Sequence, residues 1–550
     1  MRERRLTDAE LRDLPLESRI FAPIFRQRIE EDGSRPFLSV DGSQFSYGKF
    51  GAYTLGLARG LARLGVGEGQ IVPILAHNCA QYIAAWFAVH LRGATIALLN
   101  PALKSRMLAL ALADCRPKIV IANDEAIDSI IDLPGAQRSG IEGVIRIATS
   151  NTSRRRAEPL KILEFDSLID ESGPDPIVET RFDQVQTVFF TSGSTGPAKG
   201  VLMPNAHFFA NPCSMIRLTG LTRDDVVHTS LPLFHGVGSR QGVLPAFMLG
   251  AQVDVGLKFS GSRFWDTVRA SKATVALLTP TMPPLISAHA PSQQDRDHRL
   301  RALYNVSPDV AIEERFGLKM YVSFAITEIG VVIYSRPEER RLGTMGQAHE
   351  DWDLKIVDEA DRPVPDGTAG ELVCRPKRPF IMMQGYLNRP EAAASAWRNL
   401  WYHTGDYMVR DAQGWYQFAG RNKDRIRRRG ENISPLQIED ELRAHPYVLD
   451  SIALGYPAGD GEDDIRLAII LKSHPSVSLL PELAHWLTTR LPPTMIPRYW
   501  ELFSEFPVTP TGKVDRQALR DLPLSDTVWD RAVEPASPQA PACETNFVLR

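Results

Sequence analysis

The segment TVFFTSGSTGPAKG, residues 187–200, decides how this chain is read. Its first residues, Thr187–Phe190, are apolar enough for a buried strand, and they run straight into a loop of hydroxyl residues and glycines that ends on a lysine. Glycine tolerates positive φ and lets a ligand approach the backbone, so several N–H groups can converge on one anion. Thr191, Ser192, Ser194 and Thr195 add hydroxyl donors, Gly193 and Gly196 supply the backbone freedom, and Lys199 adds charge. A polyphosphate is the natural guest. The spacing is not that of a Walker loop, because GxxxxGK[ST] is absent. A flexible Ser/Gly linker would not start directly behind a buried strand and close on Ala-Lys-Gly.

Working outward, helical and strand patterns alternate on both sides of the loop. Ser46 is placed to cap a helix carrying Tyr53, Leu55, Leu57, Leu61 and Leu64, with Gly65 at its end. IVPILA (71–76) reads as a buried strand, Asn78 as the cap of the next helix, and TIALLN (95–100) as another strand. Strand–helix units recur near 185–215 and 263–328. This alternation predicts an α/β fold: a large N-terminal domain, residues 1–423, with parallel-type sheets flanked by helices. From Asp424 the pattern changes to helix (435–444), strand (450–455), strand (465–472) and helix (482–491), closing on FPVTPTGKVDR (506–516). That predicts a small α+β domain over 424–526. Residues 527–550, which end in a stretch rich in Pro, Ala and Ser, are expected to form a loose tail.

Bulk composition narrows the class. At 550 residues the chain exceeds what one core serves, and its net charge of −3 gives no reason to expect a nucleic-acid partner. Cys79, Cys115, Cys213, Cys374 and Cys543 are scattered, odd in number and free of any CxxC pair. Neither a disulfide framework nor a zinc site is expected, which fits a reducing cytoplasm. The opening MRERRLTDAELRDL lacks the apolar core of a secretory signal. The most apolar stretch, Tyr82–Leu99, is broken by His90, Arg92 and Gly93, so it reads as buried helix and strand and not as a membrane span. A cytoplasmic protein without a membrane partner is the expectation.

The loop resembles the phosphate loop of the adenylate-forming superfamily, which includes acyl-CoA synthetases, peptide-synthetase adenylation domains and firefly luciferase. The resemblance spans roughly residues 20–520, with the motifs in the family's order, and is closest in type to acyl-CoA ligases. It implies ATP binding, with Thr191, Ser194, Thr195 and Lys199 on the β- and γ-phosphates. LPLFHGVG (231–238) is similar to the family's aromatic gate, so His235 would lie beside the reacting carboxylate and swing aside for pantetheine; outside the motif a lone histidine is more often a packed loop residue. FAITE (324–328) is similar to the adenine-stacking segment. Phe324 would stack on adenine, Thr327 would contact the α-phosphate and Glu328 would hold Mg²⁺; the bland reading of Glu328 is a helix N-terminal acid. By the same resemblance, Asp406 in YHTGD would grip the ribose hydroxyls, Arg421 would assist with ribose or phosphate, and Asp424 would be the hinge.

Lys513, after Pro-Thr-Gly, matches the lysine with which the family neutralises charge in adenylation, whereas elsewhere a turn lysine is simply solvated. RNKDRIRRR (421–429) holds six basic residues in nine. It is either a solvated basic face or, by the resemblance, the side on which coenzyme A enters, with Arg427, Arg428 and Arg429 near its phosphates and Gly430 making room for the thiol arm. GEL (370–372) and GYLNRPE (385–391) are further matches, read as structural. The acyl pocket would draw on His235, Leu277, Thr279, Val306 and Phe324, mostly apolar, which favours a hydrophobic carboxylic acid. Arg240 is the exception, read either as a partner for a polar substrate group or as a surface or structural residue.

Two departures fall in one region: Ala325 stands where the family has glycine, and YNVSP (304–308) replaces a Gly-Gly-Ala-Pro-like turn. Overpacking a tight wall costs about 1–3 kcal/mol. Three readings of the activity therefore stay open: a full acyl-CoA ligase with a reshaped acyl pocket; an enzyme that takes a preformed acyl-AMP from a partner adenylating enzyme and makes only the thioester; and a ligase with another acceptor. A non-catalytic nucleotide binder would require the chemical residues to be missing, and they are present.

Overall fold

The computed structural model describes residues 14–138, 140–149, 160–191, 198–279, 282–304, 308–421, 426–428, 431–433, 435–458, 463–472, 477–491, 493–509 and 513–532. The chain divides into two compact units: residues 1–355 with 373–404 and 410–417, and residues 356–372 with 405–409 and 418–550.

Among the described residues the first unit holds two large sheets. One has eight strands in the order 385–386, 199–204, 185–191, 95–98, 71–75, 119–123, 143–147, 162–164. The other has nine: 347–348, 330–335, 319–326, 302–304, 275–277, 226–229, 252–255, 36–40, 43–46. Both are parallel in the middle, as the strand–helix alternation predicted; the nine-stranded sheet is antiparallel at both edges and the eight-stranded sheet at one, its 143–147 and 162–164 strands being parallel. One antiparallel edge changes the reading of 185–215. Strand Val185–Thr191 turns back on strand Lys199–Pro204, with Thr191 opposite Lys199, before helix Asn205–Thr219 begins. Residues 187–200 therefore include two paired strands, and the second of them stands before the helix.

Helix Tyr47–Arg63 starts as expected: the Ser46 hydroxyl accepts the Lys49 N–H at 3.2 Å, and the helix runs out through Leu64 to Gly65 at φ 75°. Asn78 does not cap the next helix. Cys79 does, its sulfur accepting the Tyr82 N–H ahead of Ala80–Leu91. The Asn78 amide instead donates to the carbonyls of Leu231 (3.0 Å) and Gly256 (2.9 Å) and accepts the Leu233 N–H (2.9 Å). A buried amide with both donor and acceptor can satisfy three long-range partners, and that outweighs a local cap. The helix itself is buried on all sides, with Tyr82, Trp86, Phe87 and Leu91 fully covered. Phe87 packs among Phe21, Phe37 and Phe247. No helix among the described residues is long and apolar enough to cross a membrane.

The second unit contains a four-stranded sheet, Val448–Pro457, Asp463–Leu471, Tyr499–Leu502 and Trp529–Asp530. Helices Pro435–Arg443 and Leu480–Thr488 cover one face, their Ile438, Leu442, Leu483 and Leu487 packing with Leu467, Ile469 and Trp500. Arg466 and Glu501 form a buried ion pair across neighbouring strands. The expected tail starts later than 527: Trp529 pairs with Trp500 and is buried, because its indole completes this core. Residues 533–550 lie outside the described residues.

Candidate functional site

In the first unit the site grows from the turn that ends strand Lys319–Ile326. Thr327, Glu328 and Ile329 make the turn, and strand Gly330–Ser335 runs back antiparallel. Glu328 thus belongs to a hairpin, and the helix-capping reading falls away. Its carboxylate is buried and accepts the Tyr386 hydroxyl at 2.9 Å; Tyr386 in turn lies 3.4 Å from the Tyr402 hydroxyl. Burial pushes the Glu328 carboxyl above its ordinary value, opposed by the Tyr386 hydrogen bond, by Lys199 and by Arg240. Lys199 places its ammonium 5.0 Å over the Tyr386 ring. Thr191 donates its hydroxyl to the Lys199 carbonyl at 3.3 Å, closing the neck of the hairpin. Ser192, Gly193, Ser194, Thr195 and Gly196 lie outside the described residues.

Phe324 is partly buried and Ala325 exposed, at a β-bulge in the pairing with Val331–Ile333. The Thr327 carbonyl accepts from His207 Nε2 at 3.3 Å. Burial, reinforced by Arg240, lowers the His207 pKa to about 3, so this ring is neutral. His235 lies within the 231–238 segment, its ring against Phe234 at 4.8 Å and its carbonyl accepting the Ser239 hydroxyl. Leu277 is buried on strand Val275–Leu277, while its neighbours Ala276 and Leu278 join the cluster around Phe264 and Trp265. Strand alternation turns Leu277 to the opposite face. Thr279 follows it, with its N–H on Met282 sulfur. Val306 lies outside the described residues.

Arg240 departs most from expectation. The surface reading fails, because the residue is 2% exposed inside a π-helical turn, Val237–Val243.

Asp406 and Lys513 belong to the second unit. Asp406 is buried, and the neighbouring Gly405 N–H bonds to Glu371 at 2.9 Å. Lys513 is exposed beside a bridge between Val508 and Val514, with its carbonyl accepting the Thr509 N–H at 2.7 Å. Arg428 is already engaged: it donates to the Ile496 carbonyl at 2.8 Å and pairs with Asp464 at 3.1 Å, so its fork is taken up inside the fold and not offered to a ligand. Asp424, Arg429 and Gly430 lie outside the described residues, as do the side chains of Arg421 and Arg427.

Residues 25–387 match the family model described as AMP-binding enzyme. The chain belongs to the AMP-binding enzyme family. It is an adenylate-forming, ATP-dependent ligase of the acid–thiol class. Among curated relatives of this AMP-binding enzyme is a crotonobetaine/carnitine–CoA ligase of Salmonella paratyphi B, 27% identical over 500 residues, covering 87% of this chain and 93% of the relative. Among solved structures, an anthranilate CoA ligase in complex with anthranoyl-AMP superposes with a TM-score of 0.81 at 23% identity, covering 93% of this chain and 98% of the other. An o-succinylbenzoate coenzyme A synthetase from Bacillus subtilis in complex with AMP gives 0.77 at 22% identity, covering 92% and 99%. The α/β fold, with its large N-terminal and smaller C-terminal parts, is that of these enzymes.

Sequence reasoning missed Tyr386 and Tyr402. Tyr386 sits in GYLNRPE, read only as structural, and reaches Glu328 because Gly385–Tyr386 pairs with Val201–Leu202. The available signal was that the pair Gly385-Tyr386 combines a backbone-permissive residue with a hydroxyl-bearing ring.

Proposed function

We propose that this enzyme joins a carboxylic acid with an apolar body to coenzyme A in two steps. The acid carboxylate attacks the α-phosphorus of ATP, releasing pyrophosphate and forming acyl-AMP. The coenzyme A thiol then attacks the acyl carbonyl, releasing AMP. The observation that carries this reading is the buried Glu328 carboxylate, held by Tyr386 with Lys199 over the same ring, Lys199 lying on one of the two paired strands that flank the hydroxyl-rich sequence. One carboxylate beside a phosphate site suits Mg²⁺, which takes few protein ligands and completes its shell with phosphate oxygens and water. The relatives named for CoA ligation support the acceptor, and Leu277 and Phe324 support an apolar acyl body.

Lys513 would bridge the attacking carboxylate and the α-phosphate, and Asp406 would hold the ribose. Adenylation needs that lysine in place while thioester formation needs room for a thiol, so the second unit would rotate at Asp424 between steps. The free cysteines among the described residues fit a cytoplasmic setting.

Ala325, at its bulge, favours a second reading in which adenylation is weak and acyl-AMP comes from a partner enzyme. A panel of carboxylic acids, with AMP, pyrophosphate and thioester followed separately, tests both. Acid-dependent release of all three products supports the full ligase. Thioester from synthetic acyl-AMP without ATP–pyrophosphate exchange selects the second reading, and neither activity with any acid overturns both.

A further inference from the structure

Arg240 follows the gate histidine by five residues and carries its charge into the interior of the first unit. Its guanidinium carbon stands 5.0 Å over the Phe189 ring, and Nη1 is 3.3 Å from the Met203 sulfur. Its Nε has no hydrogen-bond partner, and no carboxylate among the described residues lies within ion-pair distance. Glu328 acts on it only from beyond that distance, and the neutral His207 cannot balance it. Lys199 already serves Glu328. An uncompensated buried charge costs several kcal/mol, so a guanidinium kept here calls for an anion that arrives from outside.

Gly236 makes room for the guanidinium within the 231–238 segment. A β-carbon at Gly236 would come within 2.9 Å of Arg240 Nη2 and 3.2 Å of Nε. The residue directly after His235 is thus one without a side chain, and the guanidinium lies against that bare backbone. On the ligase reading, which this inference rests on, the 231–238 segment borders the acyl group, and Arg240 lies in the π-helical turn that continues it. A planar, permanently charged fork matches a carboxylate with two parallel hydrogen bonds.

The geometry points to an acid substrate that carries a second anionic group, a carboxylate in the simplest case, which Arg240 receives while the first carboxylate is activated. The substrate class is a dianionic acid with an apolar body. Arg240 is a specificity residue that adds a cation to a mostly apolar acyl pocket.

The test compares dicarboxylic acids of graded chain length, aliphatic and aromatic, with their own monomethyl esters, in ATP–pyrophosphate exchange and thioester formation by the full-length enzyme. The diacid is expected to exceed its monoester in kcat/KM by roughly a hundredfold, the scale of losing one partner of a buried charge pair. Arg240→Met is expected to collapse that ratio towards one while the KM for ATP stays within about threefold. Arg240→Lys, which keeps charge but loses the fork, is expected to fall between. If Arg240→Met does not fold, the wild-type ratio and the lysine variant decide. Monoesters activated as well as diacids by the wild type would overturn the inference and leave the ligase reading standing. A loss in Arg240→Met that is equal for both acids, with a raised KM for ATP, would place the anion on the nucleotide and overturn it as well. Wild type that activates no acid at all would defeat the ligase reading itself.

Discussion

At the scale of single residues, Tyr386 offers the sharpest test of the site. Its hydroxyl is the donor that Glu328 receives inside the fold. Hydrogen bonds to charged groups contribute about 1.5–3 kcal/mol, so Tyr386→Phe is expected to slow ATP–pyrophosphate exchange about ten- to a hundredfold and to raise the Mg²⁺ concentration needed for half-maximal rate. An unchanged Mg²⁺ titration would mean that the hydroxyl serves packing alone. Ala325 gives the opposite sign. It stands exposed at the bulge after Phe324, where the family has glycine, so Ala325→Gly is expected to raise the adenylation rate while thioester formation from supplied acyl-AMP stays constant. Equal rates before and after would remove the case for a crowded nucleotide wall.

At the scale of elements, Asn78 ties the strand and helix of one sheet layer to the 231–238 segment through Leu231 and Leu233. Replacing it with Ala takes the side-chain partner from two carbonyls, those of Leu231 and Gly256, and from the Leu233 N–H. The expected loss is about 1–3 kcal/mol in urea unfolding, together with a raised KM for the acid, since the segment behind His235 loosens. Stability lost without any change in KM would confine Asn78 to a structural role. The contrast with Ser46 shows what was legible in the sequence. Ser46 caps its helix through a contact three residues away, which any reader of the chain can find. Asn78 looks equally suited to a cap, but its partners lie 153 to 178 residues on, so only the fold reveals them. The same holds for the site. Lys199, His235 and Glu328 sit in motifs whose chemistry is local. The Tyr386 contact depends on a two-residue strand pairing across the hairpin. Burial of Arg240 depends on which face of a π-helical turn meets Phe189. A one-dimensional pattern of charge and hydropathy carries neither fact.

At the scale of the whole molecule, buried histidines contribute to the loss of stability in acid. Burial lowers the pKa of His90 to about 3 and, reinforced by Arg217, that of His349 to about 4, against 6.5 for the free side chain. Both are therefore neutral in the fold. Below pH 6.5 the unfolded chain binds protons that the folded chain refuses, so their contribution is intact above that pH and is lost as pH falls towards about 4 for His349 and about 3 for His90. Denaturant midpoints measured between pH 7 and pH 4 are expected to fall steadily, and His349→Gln to flatten the profile; a flat wild-type profile would contradict the assignment. The second unit supplies a separate test. Lys513→Ala is expected to abolish ATP–pyrophosphate exchange while leaving thioester formation from synthetic acyl-AMP within a few-fold of wild type, which separates the two half-reactions. Equal loss of both would argue against a role confined to the first.

The aromatic ring of Tyr386 has one more consequence. Lys199 lies over its face and Glu328 grips its hydroxyl, so a flat spacer stands between opposite charges that would otherwise collapse onto each other. Cation and anion are held apart like the plates of a capacitor. On the proposed reading, each would meet an incoming triphosphate and its magnesium without first being pried from the other.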